Sequence, residues 1–233
     1  MDYLHFLRKR TDFIRQFYVE AASPFVERKR KIEQSEEPFD QTHGAEEDEP
    51  AFLEEWGEAD EAIDVLGQFC ISMLSSSLHL YIEEWISELV ARAGAKQLSD
   101  LGIGLPADAT YKVEFKKGWI NGYRVYCAIL GVDWTKGPSD LTILEQIVLA
   151  RNTVQHSTDI TSVRARQSEH DATKQPKAFF ADALELAMFD RSSIGHFIRP
   201  ARLNVTQDKL FAALDEVKRF CEWLNAQHPM RRS

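Results

Sequence analysis

Between Phe52 and Leu89 the apolar residues step along the chain at helical spacing almost without a break. Phe52, Trp56, Ala59, Ile63, Leu66, Cys70 and Met73 alternate steps of four and three, and a second stripe continues through Leu74, Leu78, Tyr81, Trp85 and Leu89. Such spacing places side chains on one face of an α-helix and is incompatible with the two-residue period of a strand. Residues 51–93 therefore read as one very long helix or two consecutive ones, about 65 Å in extent at 1.5 Å per residue. A bend is expected near Gly67 or Ser75–Ser77. A helix of this length invites a second chain to pack along it.

The same periodicity, more weakly, marks the other elements. Tyr3, Leu7, Phe13, Ile14, Phe17 and Tyr18 predict a helix over 2–21, and Ser23-Pro24 then looks like an N-cap and first turn of a new, highly charged helix that fades near Gln34. Phe115, Trp119, Tyr123, Tyr126, Cys127 and Leu130 predict a helix over 109–130, closed by Gly131. Pro138-Ser139-Asp140 caps a helix over 140–156. Leu210, Leu214, Val217, Phe220, Cys221 and Leu224 face inward from a last helix over 207–226. The expected fold class is all-α, a bundle of five to six helices around the long one, with room for a short β-hairpin near 178–205. The organisation reads as an N-terminal helical extension (1–34), an acidic linker (35–50), a bundle core (51–160), a polar loop (161–177) and a C-terminal segment packing on the bundle (178–233).

Charge divides the chain. Residues 1–100 hold 10 Lys/Arg against 22 Asp/Glu and residues 101–233 hold 18 against 15, so charges of −12 and +3 make up the net −9. An anionic ligand is expected on the second half. The three cysteines, Cys70, Cys127 and Cys221, are far apart and sit among apolar neighbours, as buried reduced thiols do. No apolar run approaches the roughly 20 residues of a membrane span, and the N-terminus lacks a signal-peptide core. The expected location is the cytoplasm, with no membrane partner.

Chemistry concentrates in Leu144-Glu-Gln-Ile-Val-Leu-Ala-Arg-Asn-Thr-Val-Gln-His156. On a helical wheel Leu144, Ile147 and Val148 form the apolar face, Arg151 falls within it, and Glu145, Asn152 and His156 share a neighbouring polar stripe. An arginine on an apolar face is costly unless it meets a carboxylate, a phosphate or a subunit boundary. Its planar fork suits bidentate phosphate contact, and histidine exchanges protons near neutral pH. The ordinary alternative is a salt-bridged Arg151 and a His156 that caps the helix C-terminus. The Arg-to-His spacing is itself unspecific, since Arg191 and His196 repeat it and Arg164 and His170 come close. His79 and Glu83, at i and i+4, read as surface or core-edge residues, with no third group to complete a metal site.

Arg151-Asn152-Thr153-Val154-Gln155-His156, an R-N-x-x-x-H motif late in a helical chain, resembles the HEPN superfamily. The resemblance covers about residues 51–160. It implies a dimerising helical bundle with paired motifs in a cleft, and commonly a metal-independent endoribonuclease of toxin–antitoxin, phage-defence or RNA-processing systems. Carried over, Arg151 would hold the scissile phosphate, His156 would be general base or acid, Asn152 would orient the site, and Glu145 would be an upstream acidic partner. RNA, a second copy and an antitoxin-like protein are the implied partners, with no cofactor. The alternative is a catalytically silent HEPN-like module that binds RNA, nucleotide or protein. Family members silenced by a nucleotidyltransferase carry Tyr two residues beyond the histidine. This chain has Thr158 there, so that mode of regulation is not implied.

Overall fold

The long apolar stripe forms a single helix. The structure is a computed structural model that describes residues 1–40, 51–100, 115, 117–156, 164–166, 179–191 and 201–227. Among them are six α-helices: α1 (Tyr3–Glu33), α2 (Leu53–Asp100), α3 (Trp119–Ile129), α4 (Leu141–Gln155), α5 (Ala183–Arg191) and α6 (Gln207–Ala226). A 3-10 turn, Trp134–Lys136, stands between α3 and α4. The fold is all-α, as the periodicity predicts.

Helix α2 is the spine. Its 48 residues run on through Gly67, Ser75–Ser77 and Gly94, seven residues past the expected end. Helices α1, α4 and α6 all pack on it, α1 most extensively. Both halves of the stripe face inward: Ala59, Cys70, Leu74, Leu78, Tyr81, Trp85 and Leu89 are buried, while Ile63, Leu66 and Met73 pack against the same core. By length and composition Leu53–Leu89 would suffice to cross a membrane, but over half of the most apolar stretch is buried against other helices. Gly67 marks a close approach. A Cβ there would stand 2.3 Å from the Val205 carbonyl oxygen, so the absence of a side chain lets the 201–205 segment lie directly on α2.

Helix α1 corrects the expected break at Ser23-Pro24, because the helix continues through Pro24. Proline removes one backbone hydrogen bond and strains the preceding turn. Here Leu4, Leu7, Thr11, Ile14, Tyr18 and Ala22 form a buried seam before it, and Lys29 is tied to Asp60 of α2 at 2.5 Å after it. Packing on both sides holds the axis across the proline. Phe13, expected inward, is 59% exposed, because the seam follows Ile14 and Tyr18 instead.

Within the expected helix over 109–130, Phe115 is helical and α3 runs from Trp119, after Gly118 with φ +147°; residues 109–114 and 116 lie outside the described residues. It ends as the glycine predicts. Val132 N–H donates to the Cys127 carbonyl (2.8 Å) and Gly131 N–H, at φ +82°, donates to Ala128 (3.0 Å). Those two bonds satisfy the last carbonyls in the Schellman pattern. Helix α4 starts at Asp140, whose side chain accepts from Thr142 N–H at 2.8 Å. The buried Glu216 of α6 accepts from the Asp140 N–H and from Arg219 (2.7 Å), which joins α6 to the start of α4. All six apolar residues predicted for α6 are buried.

In place of a hairpin near 178–205, the described part holds helix α5 and two isolated antiparallel bridges, Ala181↔Leu203 and Arg166↔Arg202. Asp182 draws the chain into the helix by accepting from the N–H groups of Leu184 and Glu185, both at 3.0 Å. Glu185 then receives Arg202 through its backbone N–H (2.8 Å) and Nε (2.5 Å).

A polar cluster fastens these segments to α2. Asp60 receives Lys29 and Arg164, and Asp64 accepts from Val205 N–H (3.3 Å) and Gln68 (3.2 Å). Burial raises the pKa of Asp60, but hydrogen bonds from Lys29 and Arg164 outweigh it and hold the carboxyl below its ordinary 3.8. At Asp64 burial wins and the pKa rises. A depressed folded pKa means that Asp60 stabilises the fold above its unfolded pKa, and that this contribution fades as pH falls through the folded value. Asp60→Asn should therefore lower stability by about 1 kcal/mol at about pH 7, allowing for partial exposure. The gap from wild type should narrow at about pH 3. Urea unfolding of both proteins at the two pH values checks this, and an equal gap at both would count against it.

Candidate functional site

Of the four residues singled out in the sequence, two share a groove and two do not line it. Arg151 and Asn152 line a groove of about 500 Å³ between α2, α3 and α4, together with Ser75, Ser76, His79, Leu80, Trp119 and Val148. Its volume is in the range of small-molecule sites. Glu145 and His156 are not among the lining residues.

Arg151 is half-buried on the packed side of α4, beside buried Val148 and Ile147. Its Nη1 donates to Asn152 Oδ1 at 3.0 Å. Elsewhere the guanidinium groups mostly meet carboxylates: Arg8 with Glu222, Arg15 with Asp215, Arg164 with Asp60 and Asp64, and Arg202 with Glu185. Among the described residues Arg151 has no such ion pair. The ordinary alternative, a salt-bridged structural arginine, is thus not what α4 presents. The Asn152 bond orients the fork of an arginine that lines the groove.

His156 is the C-cap of α4, exposed, with its backbone N–H donating to the Asn152 carbonyl at 3.0 Å. Five residues of α-helix separate it from Arg151, which is about 140° of rotation and about 7.5 Å of rise. The motif spacing alone therefore points the two side chains in different directions on one helix.

Glu145 is engaged elsewhere. Its Oε2 accepts from Ile120 N–H at 3.0 Å, and a Cβ on Gly118 would stand 2.9 Å from its Oε1. A carboxylate at the open N-terminus of α3 satisfies an orphan donor and faces the positive end of the helix dipole. Glu145 thereby fixes where α3 begins, and so where Trp119 meets the groove.

His79, read from its spacing as a surface or core-edge residue, contributes to the groove from α2. Its Nε2 lies 2.9 Å from Glu83 Oε1, and its ring is 4.7 Å from the Trp119 ring at 31°. Glu83 Oε1 also accepts from the Tyr123 hydroxyl at 3.1 Å. Burial, followed by the charge of Glu83, pushes the Tyr123 pKa up, so the phenol stays protonated as a donor. The signal for His79 was present as its i,i+4 pairing with Glu83. What the sequence lacked was the fold that sets α3 and α4 beside it.

Of the decoys, Arg164 is taken up by Asp60 and Asp64, and His170 and His196 lie outside the described residues, as does Thr158. The cysteines are buried and free. Burial pushes Cys70 and Cys127 up to about 12 and raises Cys221 as well, so none is a ready thiolate. No group of three His, Cys, Asp or Glu able to hold a metal occurs among the described residues.

No family model, curated protein or solved structure matches this chain.

Glu145→Ala should destabilise the fold by about 0.5–2 kcal/mol through the lost cap, and Glu145→Gln, which keeps an acceptor oxygen, by much less. Thermal unfolding measures both. An unchanged melting temperature in Glu145→Ala would remove the capping role.

Proposed function

We propose that this chain is a HEPN-type, metal-independent endoribonuclease that engages RNA at the groove between α2, α3 and α4. The observation that carries the reading is Arg151: half-buried, oriented by Asn152, and without a carboxylate partner among the described residues. A guanidinium so placed awaits an anion, and its fork matches the non-bridging oxygens of a phosphodiester. Trp119 adds aromatic surface in the same groove, and proteins that hold single-stranded RNA commonly use such surface for bases. Strand cleavage then requires a group that takes the ribose 2′-hydroxyl proton and a cation that stabilises the phosphorane. The R-N-x-x-x-H resemblance assigns these to His156 and Arg151, with a toxin, defence or RNA-processing role.

The second reading, a catalytically silent module that binds RNA or nucleotide, is favoured by one observation: His156 lies outside the groove that Arg151 lines. Cleavage of mixed RNA in EDTA separates the two. Wild type should cut and leave 2′,3′-cyclic phosphate ends. Arg151→Ala should lose about 10²-fold or more, since an electrostatic stabiliser of this kind is worth about 3–4 kcal/mol. Arg151→Lys should recover only part, because an ammonium lacks the fork. RNA that binds wild type yet stays intact would leave the binding module in front.

The reading includes a homodimer in the cytoplasm. An apolar strip on α1 and α2 supports the second copy. Phe13, Phe69 and Leu80 are 59%, 54% and 47% exposed, and the Phe17 ring joins Phe13 to Phe69 at centroid distances of 6.0 and 6.1 Å. Leu80 also borders the groove, so a partner on this strip would reach the Arg151 site. Light scattering at micromolar concentration should give twice the chain mass, and Phe69→Glu with Leu80→Glu should give the monomer. A monomeric wild type would sink the dimer.

A further inference from the structure

Arg151 faces a groove that already contains a histidine, and it is His79 rather than the motif histidine. The imidazole is held on several sides. Glu83 Oε1 stands 2.9 Å from Nε2, the Trp119 ring lies against it at 4.7 Å, and Tyr123 meets it edge-on at 6.1 Å. Glu83 is steadied in turn by the Tyr123 hydroxyl at 3.1 Å. A carboxylate at Nε2 selects the tautomer with its hydrogen there and leaves the lone pair on Nδ1. This order of groups, an imidazole with a carboxylate within ion-pair distance of one ring nitrogen, is the arrangement that proton-abstracting histidines use.

We propose that His79 is the general base of the Arg151 groove, with Glu83 as its positioning residue, in place of His156. The inference rests on the endoribonuclease reading and changes which histidine moves the proton. Nδ1 of His79 takes the proton of a ribose 2′-hydroxyl. The electron pair freed on the 2′-oxygen forms a bond to the adjacent phosphorus, while Arg151 holds the non-bridging oxygens. The bond from phosphorus to the 5′-oxygen breaks, and that oxygen takes a proton from water. The hydroxide so formed is neutralised by the His79 imidazolium. The products are a 2′,3′-cyclic phosphate and a 5′-hydroxyl, with nothing oxidised or reduced. His156, about 140° around α4 from Arg151, is not needed for any of these steps.

The test compares wild type, His79→Ala, His79→Gln and His156→Ala on one fluorescent RNA oligonucleotide in EDTA, with circular dichroism to verify folding. His79→Ala and His79→Gln should each lose about 10²–10⁴-fold in rate. Added imidazole should restore His79→Ala by about tenfold or more, since the small base can enter the space left in the groove. Rescue by imidazole should be confined to His79→Ala and absent in His156→Ala, because of the two only His79 lines the groove. Loss in His156→Ala as well, with imidazole still rescuing His79→Ala, would keep His79 as base and make His156 a proton donor. Glu83→Gln should lower kcat and leave KM unchanged. Wild-type cleavage that survives in folded His79→Ala would overturn the proposal and leave the endoribonuclease reading with His156. So would a His79→Ala loss that imidazole does not relieve, which marks a structural role. A wild type that cuts no RNA removes the endoribonuclease reading and His79 as its base together.

Discussion

The burial of α2 is the constraint from which the rest follows. A 48-residue helix exposes more apolar surface than one neighbouring helix can cover, so α1, α4 and α6 are gathered around it. Leu74, Leu78, Ile82 and Leu89 are essentially inaccessible, and each such side chain is worth about 1.5–3 kcal/mol in area removed from water. The helix admits a neighbour directly onto its backbone where it lacks a side chain. Gly67 lets Val205 rest on its backbone, and Ser72, Ser76 and Ser77 return their hydroxyls to carbonyls one turn back. Tyr81, on the packed face, reaches the Cys221 carbonyl of α6 at 3.0 Å.

The groove results from how the polar groups along that spine are used. On the side of α2 where Arg164 approaches, Asp60 and Asp64 meet it, and a cluster of ion pairs binds the 164–166 and 201–205 segments. Where α3 and α4 approach, two acids are already committed: Glu145 to the start of α3, and Glu83 to His79 and Tyr123. Arg151 is left with the amide of Asn152. The same residue type is thus structural at one position and available at another, and the difference lies in which acid is within reach.

Much of the fold could be read from the chain. Helical spacing marked α2, α4 and α6 with nearly the right ends, because an amphipathic stripe is a local property and Asp140 and Gly131 are local signals. Helix α1 was divided at Pro24, because a proline signals a break unless packing on both sides overrides it. Near 178–205, where a hairpin had room, the described residues hold α5 and isolated bridges; the capping by Asp182 and the grip of Glu185 on Arg202 are long-range or side-chain events that no period encodes.

The candidate site divides along the same line. The sequence by itself determined that α4 carries an arginine on its apolar face, an asparagine beside it and a histidine at its end, since residue order and 100° per residue fix these relations. Only the tertiary structure decided what those groups meet. It turned Glu145 to the N-terminus of α3 and left His156 in solvent, and it brought His79 and Trp119 to Arg151 from helices far away in the chain. The physical reason is that a helical wheel gives the direction of a side chain about its own axis, whereas its partner depends on which other helix is packed there. That packing was set by the burial of α2.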